Sequence, residues 1–394
     1  MNLVLFCHPS FMASQSMPRF AQVLKASFET RGHAVTTWSP TARCHRLFKR
    51  TGLAKWAGYV DQYVLFPLHV RRKLRDMSAD TLFVFCDQAL GPWVPLVKSR
   101  PHVVHAHDLL ALRSALGDVK ENRTSFTGRL YQRYIRRGFR QALHFISVSN
   151  KTRHDLQKFG RVSPLTSVVV YNGMNFPYRP LKRSDAAAVL EAAGFPPAPR
   201  GALLHVGGGQ WYKNTVGLIL IYAQYVAKER NPLPLWCVSP QPSAEVSRAV
   251  SMVASHGRVY FFQDVSNNTL QAAYSYASAF LFPSLAEGFG WPLLEAQACG
   301  CPVITTQEPP MTEVAGDAAL YIPRLHAGQD IDAWAEHGAA TLMKLLSETG
   351  EAREHRTARG ISWANRFDAE RATDAYLAIY QQVLGRISEG KSAR

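Results

Sequence analysis

The sequence alternates short apolar runs with longer stretches of helical spacing, and this pattern limits the possible folds more than any other feature. Runs rich in Val, Leu, Phe and Ile lie at residues 2–7, 81–86, 102–107, 144–149, 167–171, 202–206, 233–238, 258–262, 279–283, 303–306 and 320–322. Most are continuously apolar, which is typical of parallel strands covered on both faces. The helix-length stretches between them predict βαβ units, and the repetition of the pattern predicts two doubly wound α/β lobes.

The boundary between the two lobes is predicted in segment 172–180, where turn residues and two prolines interrupt regular structure. We therefore expect an N-terminal lobe at residues 1–180 and a C-terminal lobe at residues 181–367. Residues 368–394 are expected to form a C-terminal helix that packs back toward the first lobe, because 368–386 have amphipathic helical spacing.

Composition excludes several classes of protein. Hydrophobic residues make up 47% of the chain and charged residues 19%, which is enough apolar surface for folding throughout. No uncharged apolar run is long enough to cross a bilayer, and residues 1–8 lack the basic region of a signal peptide, so we expect a cytoplasmic protein. The 6 cysteines form no Cys-x-x-Cys pair, so neither a disulfide scaffold nor a zinc site of that type is expected.

The charge of the chain is unevenly distributed. Residues 1–180 contain 27 Lys and Arg against 9 Asp and Glu, whereas the remainder contains 18 against 20. Basic and aromatic residues interleave at 43–50 and 55–56, and further basic clusters lie at 71–75 and 129–140. This pattern favours an anionic membrane surface as a partner, with peripheral attachment to its inner face. Nucleic acid ranks lower because no nucleic-acid-binding motif is present, and a solvated cationic face is the third interpretation.

Segment 283–300 carries the most chemical information. It follows an apolar run, turns through Gly288 and Gly290, and enters a short helix with proline near its start and glycine just past its end. Glycines allow close approach of a ligand to the backbone, and a helix start offers unpaired N–H groups. The segment therefore predicts an anion site flanked by two carboxylates, Glu287 and Glu295.

These two carboxylates indicate what kind of anion binds. Carboxylates would repel a phosphate, so we interpret them as acceptors of hydrogen bonds from neutral hydroxyls. A ligand with both a diphosphate and many hydroxyls is a nucleotide sugar. The alternative is that Glu287 is an ordinary loop carboxylate and that Glu295 only stabilises the helix electrostatically.

Two further segments follow predicted strands. Residues 204–214 form a glycine-rich turn without the G-x-G-x-x-G spacing, so a dinucleotide fingerprint is not favoured. His105 and His107 end a strand of the first lobe and would point to the same side of an extended chain, as in a metal pair. No third ligand of matching spacing follows, so we expect no metal and interpret His105 as a satisfied core histidine.

The spacing from Glu287 to Glu295 matches the Glu-x7-Glu motif of retaining glycosyltransferases, and with residues 302–305 and 313–317 it resembles glycosyltransferase family 4. The resemblance extends over most of the chain and is stronger in the second half. It implies the GT-B architecture, in which two Rossmann-like lobes face a cleft. The basic N-terminal lobe would lie on the acceptor side, and the donor would bind mainly to the C-terminal lobe.

The resemblance implies roles for residues of the motif. Glu287, with the backbone N–H groups of Phe289 and Gly290, would bind hydroxyls of the donor sugar. Glu295 would hold the ribose hydroxyls. The amides at the helix start would face the diphosphate, and these belong to Leu293 and Leu294.

Lys213 resembles the family lysine that neutralises the leaving diphosphate, where negative charge builds up as the glycosyl bond breaks. The sequence departs from the family before this lysine, because the expected arginine is replaced by a turn with Gly208, Gly209 and Gln210. Lys213 would therefore act with the helix N-terminus alone or with an arginine from elsewhere.

The remaining site residues are also implied by the resemblance. His107 would contact the donor sugar from across the cleft, together with Asp108. Asp264 and Val265 match positions that suit nucleoside binding by main-chain groups, with plain helix capping as the alternative. Asn172 is expected in a turn at the hinge between lobes. Where the family has a glycine pair, hydroxyls are available near the N-terminus from Ser14 and Ser16.

The expected activity is retaining transfer of a hexose from a UDP- or GDP-sugar to a hydroxyl of a glycan or lipid-linked acceptor, in surface polysaccharide or glycolipid biosynthesis. No cofactor is expected. One alternative is a sugar-nucleotide epimerase on the same scaffold. The other is a catalytically silent, membrane-associated binding protein.

Overall fold

The computed structural model describes residues 1–11 and 16–392, with side chains for 1–11 and 17–385. The chain divides into two compact units. Unit 1 comprises Met1–Val119, Arg123–Gly173 and Ala369–Arg394, and unit 2 comprises Lys120–Asn122 and Met174–Asp368. Residues 174–180, expected in the first lobe, thus belong to unit 2, where the N–H of Met174 donates to the carbonyl of Phe367.

Each unit contains a six-stranded parallel sheet in the part of the chain that the structure describes. The strands are β1 Asn2–Phe6, β2 Ala34–Trp38, β3 Leu82–Phe85, β4 His102–Ala106, β5 His144–Ser147, β6 Thr166–Val169, β7 Leu203–Val206, β8 Leu235–Val238, β9 Val259–Phe262, β10 Ala279–Phe282, β11 Val303–Thr306 and β12 Leu320–Ile322. Their order is β2-β1-β3-β4-β5-β6 in unit 1 and β12-β11-β10-β7-β8-β9 in unit 2. The predicted α/β fold with two doubly wound parallel sheets is confirmed.

Helices connect the strands in both units. They are α1 Ser16–Thr30, α2 Cys44–Phe48, α3 Ala54–Val60, α4 Phe66–Lys73, α5 Leu110–Ala115, α6 Phe126–Phe139, α7 Asn150–Asp155, α8 Arg183–Ala192, α9 Thr215–Lys228, α10 Ala244–Ser251, α11 Asn267–Tyr276, α12 Trp291–Ala298, α13 Met311–Ala315, α14 Ile331–Leu346, α15 Gly350–Ala364 and α16 Ala369–Ser392. π-helical turns lie at Asp61–Leu65 and Leu156–Gly160, and 3₁₀ segments at Leu74–Asp76, Gln88–Leu96, Trp211–Lys213 and Gly316–Ala318. Within the described residues, no helix is both long and apolar enough to span a membrane.

The core of unit 1 surrounds its buried central strands. Phe6 of β1 stacks on Phe85 of β3 with ring centroids 4.5 Å apart. Helix α16 completes this core, since Tyr376 and Tyr380 pack against the residues of β1 and α1. The hydroxyl of Tyr380 also lies 2.7 Å from Nε2 of His105 in β4. The last helix of the chain is therefore a structural part of unit 1.

The core of unit 2 is built in the same way. Helix α9 contributes Leu218, Ile219 and Tyr222, and α14 contributes Trp334 and Leu342, all of which are buried against the sheet. Burial of such side chains is worth about 1.5–3 kcal/mol each, so the sheet and the two helices form one cooperative core.

Both sheets reverse their strand order at the first strand of the unit. In unit 1, β1 lies between β2 and β3, and in unit 2, β7 lies between β8 and β10. Ligands of open parallel sheets bind beyond the carboxyl ends of the strands at such a reversal, because the connecting loops diverge there. The topology thus indicates one candidate ligand position in each unit.

Candidate functional site

The turn between β10 and α12 lies at the reversal point of unit 2. Gly290 has a φ of +100° and occupies the N-cap position of α12, which has proline within its first two residues. The predicted short helix is confirmed at Trp291–Ala298. Phe289 and Gly290 are buried, whereas Gly288 is half-buried.

One amide at the start of α12 is already hydrogen-bonded within the turn. The N–H of Leu293 donates to the carbonyl of Gly290 at 3.0 Å. The side chains of Leu293 and Leu294 are fully buried in the core. The N–H of Leu293 could therefore contact a diphosphate only by sharing its hydrogen between the diphosphate and the carbonyl of Gly290.

The structure brings Lys213 and Glu287 together. Nζ of Lys213 lies 2.8 Å from Oε1 of Glu287, and the side chains are only 13% and 9% exposed. Nζ also lies 4.9 Å from the centroid of the Phe282 ring. Lys213 follows β7 and Glu287 follows β10, so the pair spans the reversal point of the sheet.

Two features give Lys213 its position. Gly207 has a φ of +122°, and a Cβ there would lie 3.3 Å from both Cδ and Cε of the lysine. Asn214 follows in the left-handed region, caps α9 by accepting from the N–H of Gly217, and donates from Nδ2 to the carbonyl of Pro283. Glycine at position 207 thus makes room for the aliphatic part of Lys213, and Asn214 ties its turn to the end of β10.

Glu295 lies on α12 and is only 6% exposed. The hydroxyl of Tyr274 on α11 donates to its Oε2 at 3.0 Å. Burial, and secondarily the charge of Glu295, raises the pKa of Tyr274 well above its usual value, so Tyr274 remains a donor. No sequence pattern indicates Tyr274, because nothing in a separation of 21 residues marks it as a partner of Glu295.

Two buried polar groups, one in β7 and one just after β10, lack a complete set of partners among the described residues. Oγ of Ser284, directly after Pro283 at the end of β10, has no hydrogen-bond partner there. His205 in β7 is hydrogen-bonded through Nδ1 to the carbonyl of Leu281, whereas its Nε2 has no partner. Burial lowers the pKa of His205 to about 4, so the ring is neutral at neutral pH.

The glycine-rich turn after β7 borders a cavity of about 350 Å³. Gly208 and Gly209 line it together with Ser239, Pro240 and Ser243, which follow β8. Both glycines have positive φ, but only that of Gly209, at +79°, is far from extended backbone. The cavity therefore adjoins the Lys213 turn on its β8 side.

The loop after β9 contains Asp264 and Val265. Asp264 has a φ of +52°, which is uncommon for a residue other than glycine. Ser266 is the N-cap of α11, and its Oγ accepts from the N–H of Thr269 at 3.1 Å. Capping is thus performed by Ser266, and the roles of Asp264 and Val265 in nucleoside binding remain predictions.

In unit 1, His107 follows β4 and is buried. Its Nε2 donates to the carbonyl of Cys86 at 2.9 Å, and its N–H donates to Oε1 of Gln88. Burial lowers the pKa of His107, although the nearby charge of Asp87 acts in the opposite direction. Oδ1 of Asp108 accepts from the N–H of Leu110.

Three other sequence predictions concern unit 1. His105 is buried, but it is not a fully satisfied core histidine, because its Nδ1 has no partner among the described residues. Asn172 is also buried, and there neither its Oδ1 nor its Nδ2 has a hydrogen-bond partner. Ser14 lies outside the described residues, and Ser16 begins α1 with its side chain outside them. In the described part of the chain, no group of three His, Cys, Asp or Glu residues could hold a metal ion.

The helices of unit 1 expose large apolar side chains next to basic ones. Exposed apolar residues on or beside α2, α3, α4 and α6 include Leu47, Trp56, Leu68 and Phe126. The same helices and their flanks carry exposed basic residues, among them Arg46, Lys49, Lys55, Arg71, Arg72, Arg129 and Arg137. This combination is typical of surfaces that contact anionic lipids.

Comparison with known proteins gives matches in both halves of the chain. Residues 17–176 match the model of Glycosyltransferase Family 4, and residues 200–343 match that of Glycosyl transferases group 1. The O-antigen chain mannosyltransferase B of Escherichia coli is 27% identical over 63% of this chain and 64% of its own length. The O-antigen chain mannosyltransferase RfbU of Salmonella typhimurium is 28% identical over 50% of this chain and 52% of its own length. The matches thus span less than two thirds of these relatives.

Solved structures share the fold of the whole chain. Sucrose-phosphate synthase from Thermosynechococcus elongatus has a TM-score of 0.72 at 19% identity, covering 98% of this chain and all of that one. WaaG, a glycosyltransferase involved in lipopolysaccharide biosynthesis, has a TM-score of 0.71 at 16% identity, covering 96% and 99%. With family models matched on both halves, the Glu287 to Glu295 motif in place and the same fold, the chain belongs to glycosyltransferase family 4 and has the GT-B fold.

Proposed function

We propose that this protein is a retaining hexosyltransferase that uses a UDP- or GDP-sugar as donor and a hydroxyl of a glycan or lipid-linked molecule as acceptor. The observation that carries the proposal is the Lys213–Glu287 ion pair at the reversal point of the unit 2 sheet. The names of the Escherichia coli and Salmonella typhimurium relatives favour mannose as the sugar and surface polysaccharide as the product.

The Lys213–Glu287 pair is better explained by donor binding than by a contribution to the stability of the fold. Removing two charges from water is costly, and their attraction at 2.8 Å offsets this cost only in part, so a largely buried pair contributes little net stability. The same pair can bind both parts of a nucleotide sugar. The ammonium neutralises charge on the diphosphate, and the carboxylate accepts hydrogen bonds from sugar hydroxyls.

In the proposed reaction, the acceptor oxygen attacks the anomeric carbon on the same face from which the diphosphate leaves. The bond between the anomeric carbon and the diphosphate oxygen breaks, and the anomeric configuration is retained. The acceptor oxygen forms the new glycosidic bond, and its proton passes to the leaving diphosphate. Lys213 stabilises the charge that builds up on that diphosphate. Glu287 and Glu295 bind the donor and form no bond to it.

We assign the nucleoside to the side of the site formed by Glu295 and the 350 Å³ cavity. The hydroxyl of Tyr274 fixes one oxygen of Glu295, so the carboxylate is preorganised for ribose hydroxyls. The cavity beside Gly208 and Gly209 offers room for the base. Asp264 and Val265 remain candidates for main-chain contacts.

Nucleotide release from a panel that includes GDP-mannose and UDP-glucose, with and without alkyl glycoside acceptors, tests the function. Lys213→Met should lower kcat at least about a hundredfold, because it removes charge stabilisation of the transition state. Lys228→Met is the matched control, since Lys228 forms an exposed pair with Glu336 in the same unit. Wild-type turnover by Lys213→Met would refute the proposed role of the lysine.

We also propose that unit 1 attaches to anionic membranes through α2, α3, α4 and α6. The support is the exposure of apolar side chains such as Leu47 and Trp56 among basic residues. Co-sedimentation should be strong with phosphatidylglycerol vesicles and weak with phosphatidylcholine vesicles. The double variant Leu47→Ser and Trp56→Ser should reduce binding several-fold, whereas unchanged binding would exclude this surface.

A further inference from the structure

A second charged pair lies at the reversal point of the unit 1 sheet. Phe6 and Phe85 are register partners at the ends of β1 and β3, and the chain continues from them to His8 and Asp87. Nε2 of His8 lies 2.8 Å from Oδ2 of Asp87, and the side chains are 12% and 10% exposed. The pair thus bridges the carboxyl ends of two neighbouring strands.

Asp87 is held firmly in this arrangement. Its second oxygen, Oδ1, accepts from the N–H of Ala89 at 3.0 Å and caps the 3₁₀ segment that follows. Burial alone would raise the pKa of Asp87, but the hydrogen bond and charge of His8, with the charge of His107, lower it overall. Asp87 is therefore an anion that accepts a hydrogen from Nε2 of His8.

This contact fixes which nitrogen of the His8 ring faces Asp87. Because Nε2 is used by Asp87, Nδ1 is the ring atom that remains for a further hydrogen bond. Nδ1 has no hydrogen-bond partner among residues 1–11 and 16–392, and the side chain keeps some contact with solvent. The pair therefore presents one oriented hydrogen-bonding nitrogen at the position where the topology predicts a ligand.

The chemistry of this group limits the ligand. With Asp87 as an anion, the pair carries no net positive charge and so does not attract anions. A metal would need further ligands, and the described residues provide no group of three that could hold one. A hydroxyl, which both donates and accepts a hydrogen bond, is the ligand group that fits this nitrogen.

We propose that His8 binds a hydroxyl of the sugar acceptor through Nδ1 and that Asp87 is the positioning residue that orients the ring. This inference rests on the proposed function, since its ligand is the acceptor of glycosyl transfer. It adds a defined acceptor contact in unit 1 to the donor site in unit 2. The acceptor contact in unit 1 and the donor site in unit 2 would then each lie at the reversal point of their own sheet.

Two substitutions of His8 separate binding from a purely structural role. In His8→Gln, the side-chain amide reaches the position of Nε2 and keeps the contact with Asp87, but it offers no acceptor at the position of Nδ1. In His8→Asn, the shorter amide occupies the position of Nδ1 and cannot reach Asp87. If His8 had only a structural role, His8→Gln should behave as wild type, because it keeps the contact with Asp87.

The probes are GDP-mannose with octyl α-mannoside and UDP-glucose with octyl β-glucoside. For His8→Gln we expect the acceptor KM to rise at least tenfold, while the donor KM, the slow hydrolysis of donor by water and the thermal unfolding midpoint stay at wild-type values. For Asp87→Asn we expect a rise in acceptor KM as well, because an amide that donates to Nε2 leaves the ring hydrogen on Nδ1, so that Nδ1 can only donate.

The outcomes distinguish this inference from the function on which it rests. A wild-type chain that neither hydrolyses any donor nor transfers sugar to any acceptor would overturn the proposed function and the inference with it. A wild-type chain that transfers sugar, with a His8→Gln variant of unchanged acceptor KM, would overturn the inference alone.

Discussion

Single residues in unit 2 act in pairs that hold polar groups in fixed orientations. Lys213 is oriented by Glu287, and Glu295 by Tyr274. The carboxylates could be identified from the sequence, because glutamates around a glycine turn at a helix start are unusual. The partner of Glu295 could not, since Tyr274 comes from another helix and becomes a neighbour only through folding.

The Tyr274–Glu295 contact predicts different results for two substitutions of Glu295. Glu295→Ala removes the proposed ribose contact and also leaves the buried hydroxyl of Tyr274 without this acceptor, which costs about 1–3 kcal/mol of unfolding free energy. Glu295→Gln keeps an acceptor for Tyr274, so it should weaken donor binding with a smaller loss of stability. Calorimetry with the donor and urea unfolding measure the two effects separately.

Equal donor affinity in wild type, Glu295→Gln and Glu295→Ala would contradict the ribose assignment. An equal loss of stability in both variants would instead show that the hydrogen bond from Tyr274 contributes little.

At the scale of elements, the sequence predicts buried strands well and exposed elements poorly. Each apolar run overlaps a strand, because β1 and β3 are almost entirely buried and so must be continuously apolar. Strand β2 was missed, since it is exposed along most of its length and buries only Trp38 fully. Helix α15 likewise has little apolar periodicity, because only Gly360 and Ala364 are buried.

The start of α12 depends on glycine at position 290. A Cβ there would lie 3.2 Å from Cδ1 of Leu293, and the backbone has a φ of +100°. We expect Gly290→Ala to lower the unfolding free energy by about 1–3 kcal/mol and to weaken donor binding. Gly328→Ala is the matched control, because Gly328 also has a positive φ of +83° but no atom within 4 Å of its Cβ position.

The two alanine variants are compared by urea unfolding and donor calorimetry. If Gly290→Ala and Gly328→Ala lose the same stability and bind donor equally well, the turn at position 290 has no special role in the site.

The chain as a whole contains a buried neutral histidine in a central strand of each unit. Burial lowers the pKa of His105 to about 3 and that of His205 to about 4. Unfolding returns both to the ordinary value of 6.5. The unfolded chain therefore binds more protons than the folded chain below pH 6.5, and stability falls as the pH falls.

His205 provides a test of this pH dependence. Its contribution to the unfolding free energy should fall by about 3 kcal/mol as the pH decreases from 6.5 to 4, and change little below the folded pKa. His205→Asn keeps a polar N–H near the position of Nδ1 but does not titrate. Urea unfolding at several pH values should show a shallower pH dependence for His205→Asn than for wild type, and parallel curves would contradict the assignment.

The proposed function requires that a sugar nucleotide bind to unit 2 between Lys213 and the turn at Gly290. A crystal structure of the protein with a nucleoside diphosphate, GDP or UDP, would show where it binds. We expect diphosphate oxygens within hydrogen-bond distance of Nζ of Lys213 and ribose hydroxyls on Glu295. A nucleotide bound elsewhere, with the Lys213–Glu287 pair and Glu295 untouched, would contradict it.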